Sequence, residues 1–400
     1  MTSRWIKYSL AILLVAVAAL TATYFLRYKP MLTMMDKELK PENFRNMVSI
    51  FPHNDIEESE NPYRIARSNA PFSFIFQSKN GPIALEAKLD SLASTGFLII
   101  RNDTILYEKY LMGASEESRF TSFSVSKSIT SLLIGIAIDE GKIGSIQDPV
   151  DQYLPYLKGS GWEGISIENV LQMASGIKFS EVYADPDADI NQMMFEQFVY
   201  FKPLSEWIAG FEAEKPAGET FHYQSINTVM LSLILAEVYG KTTSELLQEK
   251  IWQPMGAEYS ASWSTDEYGS EMSFGFLNAA LRDYAKIGLM MLHQGKINGT
   301  QIVPSDWVDQ VTHISDAAHH PAKEGDTDYQ LHWWLPKGDE GEFMASGYMG
   351  QCIYVNPARH VVIVKTGIEE SKHLPLMQAI AQKISPLAQP DSVLELISVN

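Results

Sequence analysis

The chain has 400 residues, 46% of them hydrophobic and 20% charged, which is enough apolar sequence to bury a core and excludes disorder for the bulk of it. Its 31 basic and 49 acidic residues give a formal net charge of −18, which repels phosphate backbones and argues against nucleic acid as a partner. The single cysteine, Cys352, excludes an intrachain disulfide framework and a cysteine-rich zinc site.

The first predicted element is an apolar run over residues 8–26 that contains no charged residue. As a helix it is roughly 28 Å long, close to the ~30 Å hydrocarbon core of a bilayer. It therefore predicts a membrane anchor within residues 1–29. Arg4 and Lys7 precede the run, which favours a cytoplasmic N-terminus and a catalytic domain outside the cytoplasm, in the periplasm of a bacterium. The alternative is a cleaved signal peptide and a secreted protein, because small alanines occur within the run.

Residues 30–70 carry four prolines and no sustained periodicity, so we expect a tether, with folded sequence from residue 71 onward. Two β-rich runs over residues 96–110 flank an Asn102-Asp103 turn and predict a hairpin. Apolar residues then recur at spacings of three and four between Ser124 and residue 141, which predicts a buried helix.

The middle of the chain, about 124–312, is predicted to be helical. Its later helices are expected to end at Gly240, before Pro254 and at Gly295. Residues 350–367 predict two strands about an Asn356-Pro357 turn, and residues 374–385 predict a closing helix. Strands at both chain ends with helices between them predict an α/β (α+β) fold, in which one sheet is built from both ends and carries an inserted helical region.

The first candidate for chemistry is Ser124-Val125-Ser126-Lys127, because a serine and a lysine three residues apart lie on one face of a helix. A lysine can act as the base for a serine nucleophile if its surroundings keep it neutral. The spacing alone is weak evidence, since an N-capping serine with an exposed lysine has the same pattern. It also recurs at Ser175 and Lys178, where Gly176 makes a helix start less favourable.

Two further motifs follow along the chain. Tyr223 and Ser225 directly precede a predicted helix, and a tyrosine can shuttle a proton if a cation such as Lys127 lowers its pKa. A small-residue run, 345–351, enters a predicted strand, where the backbone can approach a substrate closely. Taken singly, the tyrosine is also compatible with a packing role, and the small-residue run with a β-bulge.

In this order the three motifs resemble the serine β-lactamase and penicillin-binding protein superfamily, and within it the class C-like branch that includes 6-aminohexanoate-dimer hydrolases and related esterases. The resemblance runs from about residue 96 to residue 385. Further matching segments are DPVDQYLP (148–155), LQMASGI (171–177), PAGETFHYQSINT (216–228), IWQPMGAE (251–258), LRDYAKIG (281–288) and HWW (332–334). It implies a β-lactamase/transpeptidase-like fold over residues 71–400, with an antiparallel sheet, an inserted helical domain and the active site between them.

The resemblance also implies roles for individual residues. Ser124 would be the nucleophile, Lys127 its base and Tyr223 the proton shuttle, and the backbone amides of Ser124 and Tyr348 would form the oxyanion hole. Supporting or substrate-binding roles would fall to Ser225, which would hold the Lys127–Tyr223 network, and to Tyr183, Ala345, Ser346 and Gly347. Two positions depart from the family pattern: Ser225 stands where Asn is common, and Ala345 stands where Lys or His is common.

These assignments predict a serine hydrolase that forms an acyl-enzyme with a small amide, ester or peptide and needs no cofactor. The alternatives are a cell-wall D-peptide peptidase, a weak β-lactamase and a non-catalytic, membrane-anchored penicillin-binding or receptor-like protein. Lys365-Thr366-Gly367 spells a family motif, but it ends a predicted strand instead of opening the preceding one, so we interpret it as a coincidence. A metal site formed by His313, Asp316, His319 and His320 is disfavoured, because the segment has loop composition.

Overall fold

The computed structural model describes residues 2–78, 81–314, 320–321 and 325–385. The helices are α1 (Thr2–Thr23), α2 (Lys29–Leu32), α3 (Lys40–Asn43), α4 (Leu85–Ser91), α5 (Val125–Asp139), α6 (Val150–Tyr153), α7 (Ile167–Leu171), α8 (Asp189–Val199), α9 (Leu204–Ile208), α10 (Ser225–Tyr239), α11 (Thr243–Leu247), α12 (Leu281–Leu292), α13 (Ser305–Thr312) and α14 (Leu374–Ile384). The strands are β1 (His53–Ile56), β2 (Ala66–Arg67), β3 (Ile75–Ser78), β4 (Gly81–Ala84), β5 (Ser94–Arg101), β6 (Thr104–Tyr110), β7 (Arg119–Thr121), β8 (Ala261–Ser264), β9 (Leu277–Ala280), β10 (Lys296–Ile297), β11 (Thr300–Gln301), β12 (Thr327–Gln330), β13 (Trp333–Pro336), β14 (Phe343–Gly347), β15 (Gln351–Asn356) and β16 (Val361–Gly367).

The main sheet is built from both ends of the chain, as the sequence predicts. Within the described residues its strand order is β12-β13-β14-β15-β16-β5-β6-β2, and every pair is antiparallel except β2 with β6. The predicted hairpin of β5 and β6 is confirmed. Its turn residues Asn102 and Asp103 both have positive φ, 47° and 58°, as the twist-matched two-residue turn of a hairpin requires.

Strand β5 is buried on both faces of the sheet. Its alternating side chains feed two cores, with Phe97 and Ile99 facing α4 and α14, and Leu98 and Ile100 facing the helical region. A strand covered on both faces has a continuous apolar sequence, which is what residues 97–100 show. The core on the side of the helical region includes the apolar residues of α5. Packing in this core therefore fixes the position of the residues at the N-terminus of α5.

Helices α5 and α10 form the centre of the inserted region. Both are buried along almost their whole length, and α10 ends at Gly240, whose φ of 64° is the left-handed conformation that glycine adopts without cost. The region is less uniformly helical than expected, because β8 and β9 join β1 and β7 in a second antiparallel sheet. Strands β8 and β9 have four residues each and are rich in serine, alanine and asparagine, so no strand pattern stands out.

Residues 30–70 differ from the expected tether, because they pack against the folded domain. Strand β1 pairs with β8, and the Thr121 amide donates to the Phe44 carbonyl at 3.0 Å. Pro30 and Pro41 lie in the first turns of α2 and α3, where a missing N–H costs no helical hydrogen bond, so these prolines start helices instead of marking a linker. The segment buries Phe44, Met47, Phe51, Ile56 and Ile65 in the core.

The N-terminal helix continues beyond the predicted apolar run. Residues Trp5–Leu32 form one helical stretch that is long and apolar enough to cross a membrane, and none of its most apolar stretch is buried. Length and composition are the basis for this statement, and a signal sequence meets the same test.

Candidate active site

Ser124 lies at the N-cap position of α5, and its side chain makes no capping hydrogen bond. The preceding residue, Phe123, has a φ of 40°, which is rare for a bulky side chain. Its ring is held edge-on by Phe44 at 5.1 Å, Phe276 at 5.9 Å and Tyr348 at 5.8 Å. The surrounding rings thus fix the strained turn that presents the Ser124 hydroxyl.

Lys127 lies one turn further along α5 and is buried, with 1% of its surface exposed. Its Nζ donates to Ser124 Oγ at 2.9 Å and to the Phe274 carbonyl at 2.6 Å. Burial lowers the pKa of Lys127 to about 7, and the negative charge of Glu181 opposes this shift in part. The alternative interpretation, a capping serine with an exposed lysine, is therefore wrong.

Tyr223 lies beside this pair, and its hydroxyl interacts with the Ser124 side chain strongly enough to influence the tyrosine pKa. Lys127 Nζ lies 5.1 Å from the centre of the tyrosine ring, whose other contacts include Trp334, stacked at 5.8 Å, and Tyr329, edge-on at 6.1 Å. Burial raises the pKa of Tyr223 well above its ordinary value, and the hydrogen bond with Ser124 offsets this in part. The expectation that Lys127 lowers this pKa is therefore wrong in direction, because the shift favours the protonated hydroxyl of Tyr223.

Glu181 connects the remaining predicted residues. One of its carboxylate oxygens accepts from the Ser225 hydroxyl at 2.5 Å and the Tyr183 hydroxyl at 2.7 Å, and the other accepts from the Ser225 amide at 2.9 Å. Ser225 was expected to hold Lys127 and Tyr223. Its hydroxyl instead holds Glu181, whose charge acts on Lys127.

Strand β14 brings the predicted small-residue run to Ser124. A Cβ on Gly347 would lie 2.5 Å from the Ser122 carbonyl oxygen and 3.0 Å from the Ser124 amide nitrogen, so only glycine allows this approach. In the part of the chain that the structure describes, the amides of Ser124 and Tyr348 donate to no backbone carbonyl. We therefore expect both amides to be open to a substrate oxygen.

The run also differs from the prediction in two respects. Ala345, Ser346 and Gly347 end β14 instead of opening a strand, and a single helical turn, Tyr348–Gly350, leads into β15. Ala345 is fully buried in the core. It does not line the cavity described next.

A cavity of about 220 Å³ lies in front of the Ser124 hydroxyl. Its lining holds no charged side chain among the described residues. Tyr183 and Tyr348 pack against each other along it, with ring centres 5.1 Å apart. The complete lining is Met34, Met35, Phe123, Ser124, Tyr183, Ile190, Asn191, Met194, Ser225, Phe274, Gly275, Phe276 and Tyr348.

The rival candidates lie elsewhere. Ser175 is buried outside any helix start, and its hydroxyl donates to Gln224 at 3.4 Å. Lys365 is buried in β16, where its Nζ donates to the Gly350 carbonyl at 3.2 Å, so the Lys-Thr-Gly sequence supplies no side chain to the cavity. Of the disfavoured metal site, Asp316 and His319 lie outside the described residues, within which there is no cluster of potential metal ligands.

Several contributors were missed from the sequence. Glu181 lies two residues before the candidate Tyr183. This closeness in sequence is the signal that could have identified Glu181 as a site residue. Trp334 was included in the resemblance as part of HWW, without a role. Met34 and Met35 were missed because they lie in the segment interpreted as a tether, and the Phe274 carbonyl has no side-chain signature.

Comparison with known proteins agrees with this geometry. Residues 84–366 match the family described as Beta-lactamase. The chain is 30% identical over 295 residues to the 6-aminohexanoate-dimer hydrolase of Paenarthrobacter ureafaciens, covering 70% of this chain and 74% of that protein.

Two solved structures share the fold. A Bacillus anthracis protein, provisionally assigned by its name to the same hydrolase class, superposes with a TM-score of 0.79 at 23% identity and covers 89% of this chain and 97% of its own. A family VIII carboxylesterase superposes with a TM-score of 0.59 at 14% identity, over 74% of this chain and 95% of its own. The chain therefore belongs to the beta-lactamase family and is a serine hydrolase of the 6-aminohexanoate-dimer hydrolase-like kind.

Proposed function

We propose that the protein hydrolyses an uncharged linear ester or amide through an acyl-enzyme on Ser124. The observation that carries this proposal is the 2.9 Å hydrogen bond between Lys127 Nζ and Ser124 Oγ, made by a lysine that burial keeps substantially neutral. A neutral amine in contact with a hydroxyl is the arrangement that activates a serine nucleophile.

In the first step the neutral Lys127 amine takes the Ser124 proton while Oγ forms a bond to the substrate carbonyl carbon. The carbonyl oxygen becomes an anion and accepts hydrogen bonds from the amides of Ser124 and Tyr348, which are free of backbone acceptors in the described chain. The carbon–nitrogen or carbon–oxygen bond then breaks. Tyr223 gives its proton to the leaving group and regains one from the Lys127 ammonium, which leaves the lysine neutral.

The second step reverses these roles with water. Lys127, through Tyr223, removes a proton from a water molecule that attacks the acyl carbon, and Ser124 Oγ leaves with that proton. The acid is released and the free enzyme is restored. Each proton that leaves one group is taken up by another.

The cavity supports an uncharged substrate. No lysine or arginine is among its lining residues, and the charge next to Tyr183 and Ser225 is the carboxylate of Glu181, which disfavours a substrate carboxylate. A β-lactam or a D-peptide with a free carboxylate is therefore a poorer fit than an ester or a simple amide. The relative named for the 6-aminohexanoate dimer and the carboxylesterase among the solved structures support an amide or ester as the bond that is cleaved; the preference for an uncharged substrate rests on the cavity lining alone.

We also propose that residues 8–26 anchor the protein in a bilayer with the hydrolase domain outside the cytoplasm. The apolar helix runs through Leu32, and the basic residues Arg4 and Lys7 before it support an anchor whose N-terminus is cytoplasmic. Loss of Ser124, Lys127 or Tyr223 would have supported the non-catalytic alternative. All three are present, and Lys127 Nζ lies 2.9 Å from Ser124 Oγ and 5.1 Å from the centre of the Tyr223 ring, which argues against it.

A panel of p-nitrophenyl esters, short linear amides, D-peptides and a chromogenic cephalosporin tests the proposal in the full-length protein and in Ser124→Ala. We expect turnover of the uncharged ester and amide that depends on Ser124. Equal turnover by both proteins, or a wild-type preference for the cephalosporin, would contradict the proposal.

A further inference from the structure

The segment that directly follows the membrane-compatible helix forms part of the active-site wall. Met34 and Met35 both line the cavity in front of Ser124. Helix α1, the π-helical turn Tyr24–Tyr28 and α2 follow one another without a gap and end at Leu32. At ~1.5 Å per helical residue, the wall begins about 12 Å beyond the end of the uninterrupted apolar run.

Hydrogen bonds hold this segment in place. The Asn43 side chain donates to the carbonyls of Thr33 and Met34 at 3.2 and 3.3 Å. A few residues further on, the buried Lys40 ammonium donates to the Ile368 carbonyl at 3.0 Å, which ties the segment to the end of β16. Met34 also packs against the main core. Met34 is therefore a fixed part of the cavity, and Met35 lies next to it at the exposed rim.

The chemistry of the wall selects an apolar group. Met34, Met35, Met194 and Ile190 supply thioether and aliphatic surface, and no charged side chain joins them among the lining residues in the described chain. The volume of about 220 Å³ is far larger than the ~30 Å³ that one water molecule occupies in the liquid, so the cavity has room for a short chain. A short acyl chain of about six carbons fits this space and chemistry.

Exposed apolar side chains also occur in the chain between the membrane-compatible helix and the cavity. Leu26, Leu32 and Met35 are exposed apolar side chains on the path from the helix to the rim of the cavity. Lys29, Asp36 and Lys37 are also exposed along this stretch, so an amphiphile held in the bilayer passes both apolar and charged side chains on its way to the cavity. A substrate dissolved in water does not need this route to reach the cavity.

We propose that Met34 and Met35 form an acyl-binding wall, and that the cavity takes the short acyl chain of an ester or amide amphiphile presented at the bilayer surface. The inference rests on the proposed function, because it assigns the acyl half of the substrate that Ser124 attacks. It goes further by making the juxtamembrane segment a determinant of specificity.

Selectivity between esters of different acyl-chain length tests the proposed role of Met34 and Met35. The full-length protein in lipid nanodiscs is assayed with p-nitrophenyl acetate and p-nitrophenyl hexanoate, as wild type, as Met34→Gln/Met35→Gln and as Met35→Gln alone. Leu39→Gln is the matched control, since Leu39 is an exposed apolar residue of the same segment that does not line the cavity.

Each methylene removed from water contributes a factor of about four, so we expect the wild type to prefer the hexanoyl ester by tenfold or more in kcat/KM. The double variant should reduce this preference at least fivefold, Met35→Gln should reduce it less, and Leu39→Gln should keep it. If the double variant does not fold, the single variant decides the question, because Met35 lies at the exposed rim. An unchanged ratio of kcat/KM for the hexanoyl and acetyl esters, in Met35→Gln and in any folded double variant, would contradict the proposal that the two methionines bind the acyl chain.

Presentation at the bilayer is tested with a diacylglycerol that carries one palmitoyl and one hexanoyl chain. The substrate is placed in phosphatidylcholine vesicles either together with the full-length protein or in separate vesicles. We expect release of hexanoate at least tenfold faster from shared vesicles, and equal rates would overturn bilayer presentation. A different result would contradict the proposed function itself: hydrolysis of p-nitrophenyl acetate that does not depend on Ser124.

Discussion

Replacing Tyr223 with phenylalanine separates the proposed base from the proposed proton donor. The substitution removes one hydroxyl and keeps the ring, which lies 5.1 Å from Lys127 Nζ and stacks on Trp334 at 5.8 Å. Lys127 therefore stays buried, and we expect its pKa to remain near the value of about 7 that burial imposes. The variant should lose the proton donor without losing the base.

The expected changes in rate with pH follow from the pKa of Lys127. With a pKa of about 7, half of the Lys127 side chains are neutral at pH 7, whereas a lysine at its ordinary 10.5 would be neutral in about one molecule in 3,000. The neutral fraction rises from about one tenth at pH 6 to about nine tenths at pH 8, so kcat/KM should rise about tenfold over that range. Loss of a general acid costs about 10²- to 10⁴-fold when the leaving group needs a proton.

The assay is the pH dependence of kcat/KM between pH 5.5 and 9 for a short alkyl amide and for a p-nitrophenyl ester. In Tyr223→Phe we expect a loss of at least a hundredfold on the amide and a much smaller loss on the ester, because p-nitrophenolate leaves without a proton. Both proteins should keep the rise centred near pH 7. Disappearance of that rise in Tyr223→Phe would refute the reasoning, because it would make Tyr223 the titrating base.

Three further predictions test other parts of the account. Gly347→Ala should lower kcat/KM for every substrate, because the added Cβ would lie 2.5 Å from the Ser122 carbonyl and displace the strand beside Ser124; unchanged kinetics would contradict the close approach. A chromogenic cephalosporin should be turned over about ten- to a hundredfold less efficiently than an uncharged ester, since the lining lacks the cation whose bond to a carboxylate contributes roughly 1.5–3 kcal/mol. Phe44→Ala should lower the free energy of unfolding of the full-length protein by about 3–5 kcal/mol in a denaturant titration, whereas a true tether would show no change.

The elements predicted well from the sequence are those in which local pattern and tertiary burial agree. Residues 97–100 are apolar because both faces of β5 are covered, and the Asn102-Asp103 turn has the residues that its positive φ angles favour. Helix α5 shows its buried face at spacings of three and four, so its start at Ser124 was predictable. A serine and a lysine one turn apart were therefore placed correctly.

What could not be predicted depends on contacts between distant segments. Phe44 and Met34 lie in a stretch without periodicity, and their burial results from surfaces more than 70 residues away along the chain. Glu181 acts through the geometry of its two carboxylate oxygens, which its sequence position does not reveal. The raised pKa of Tyr223 also follows from burial that only the assembled fold creates.

The central claim is that Ser124 becomes acylated with Lys127 as its base, and mass spectrometry of the covalently labelled protein tests it most directly. After reaction of the full-length protein with a fluorophosphonate at pH 7.5, we expect one adduct, on the peptide that contains Ser124. Ser124→Ala should abolish the adduct, Lys127→Ala should reduce its rate of formation by orders of magnitude, and Ser175→Ala should leave it unchanged. An adduct on another serine, or undiminished labelling of Ser124→Ala, would contradict the account.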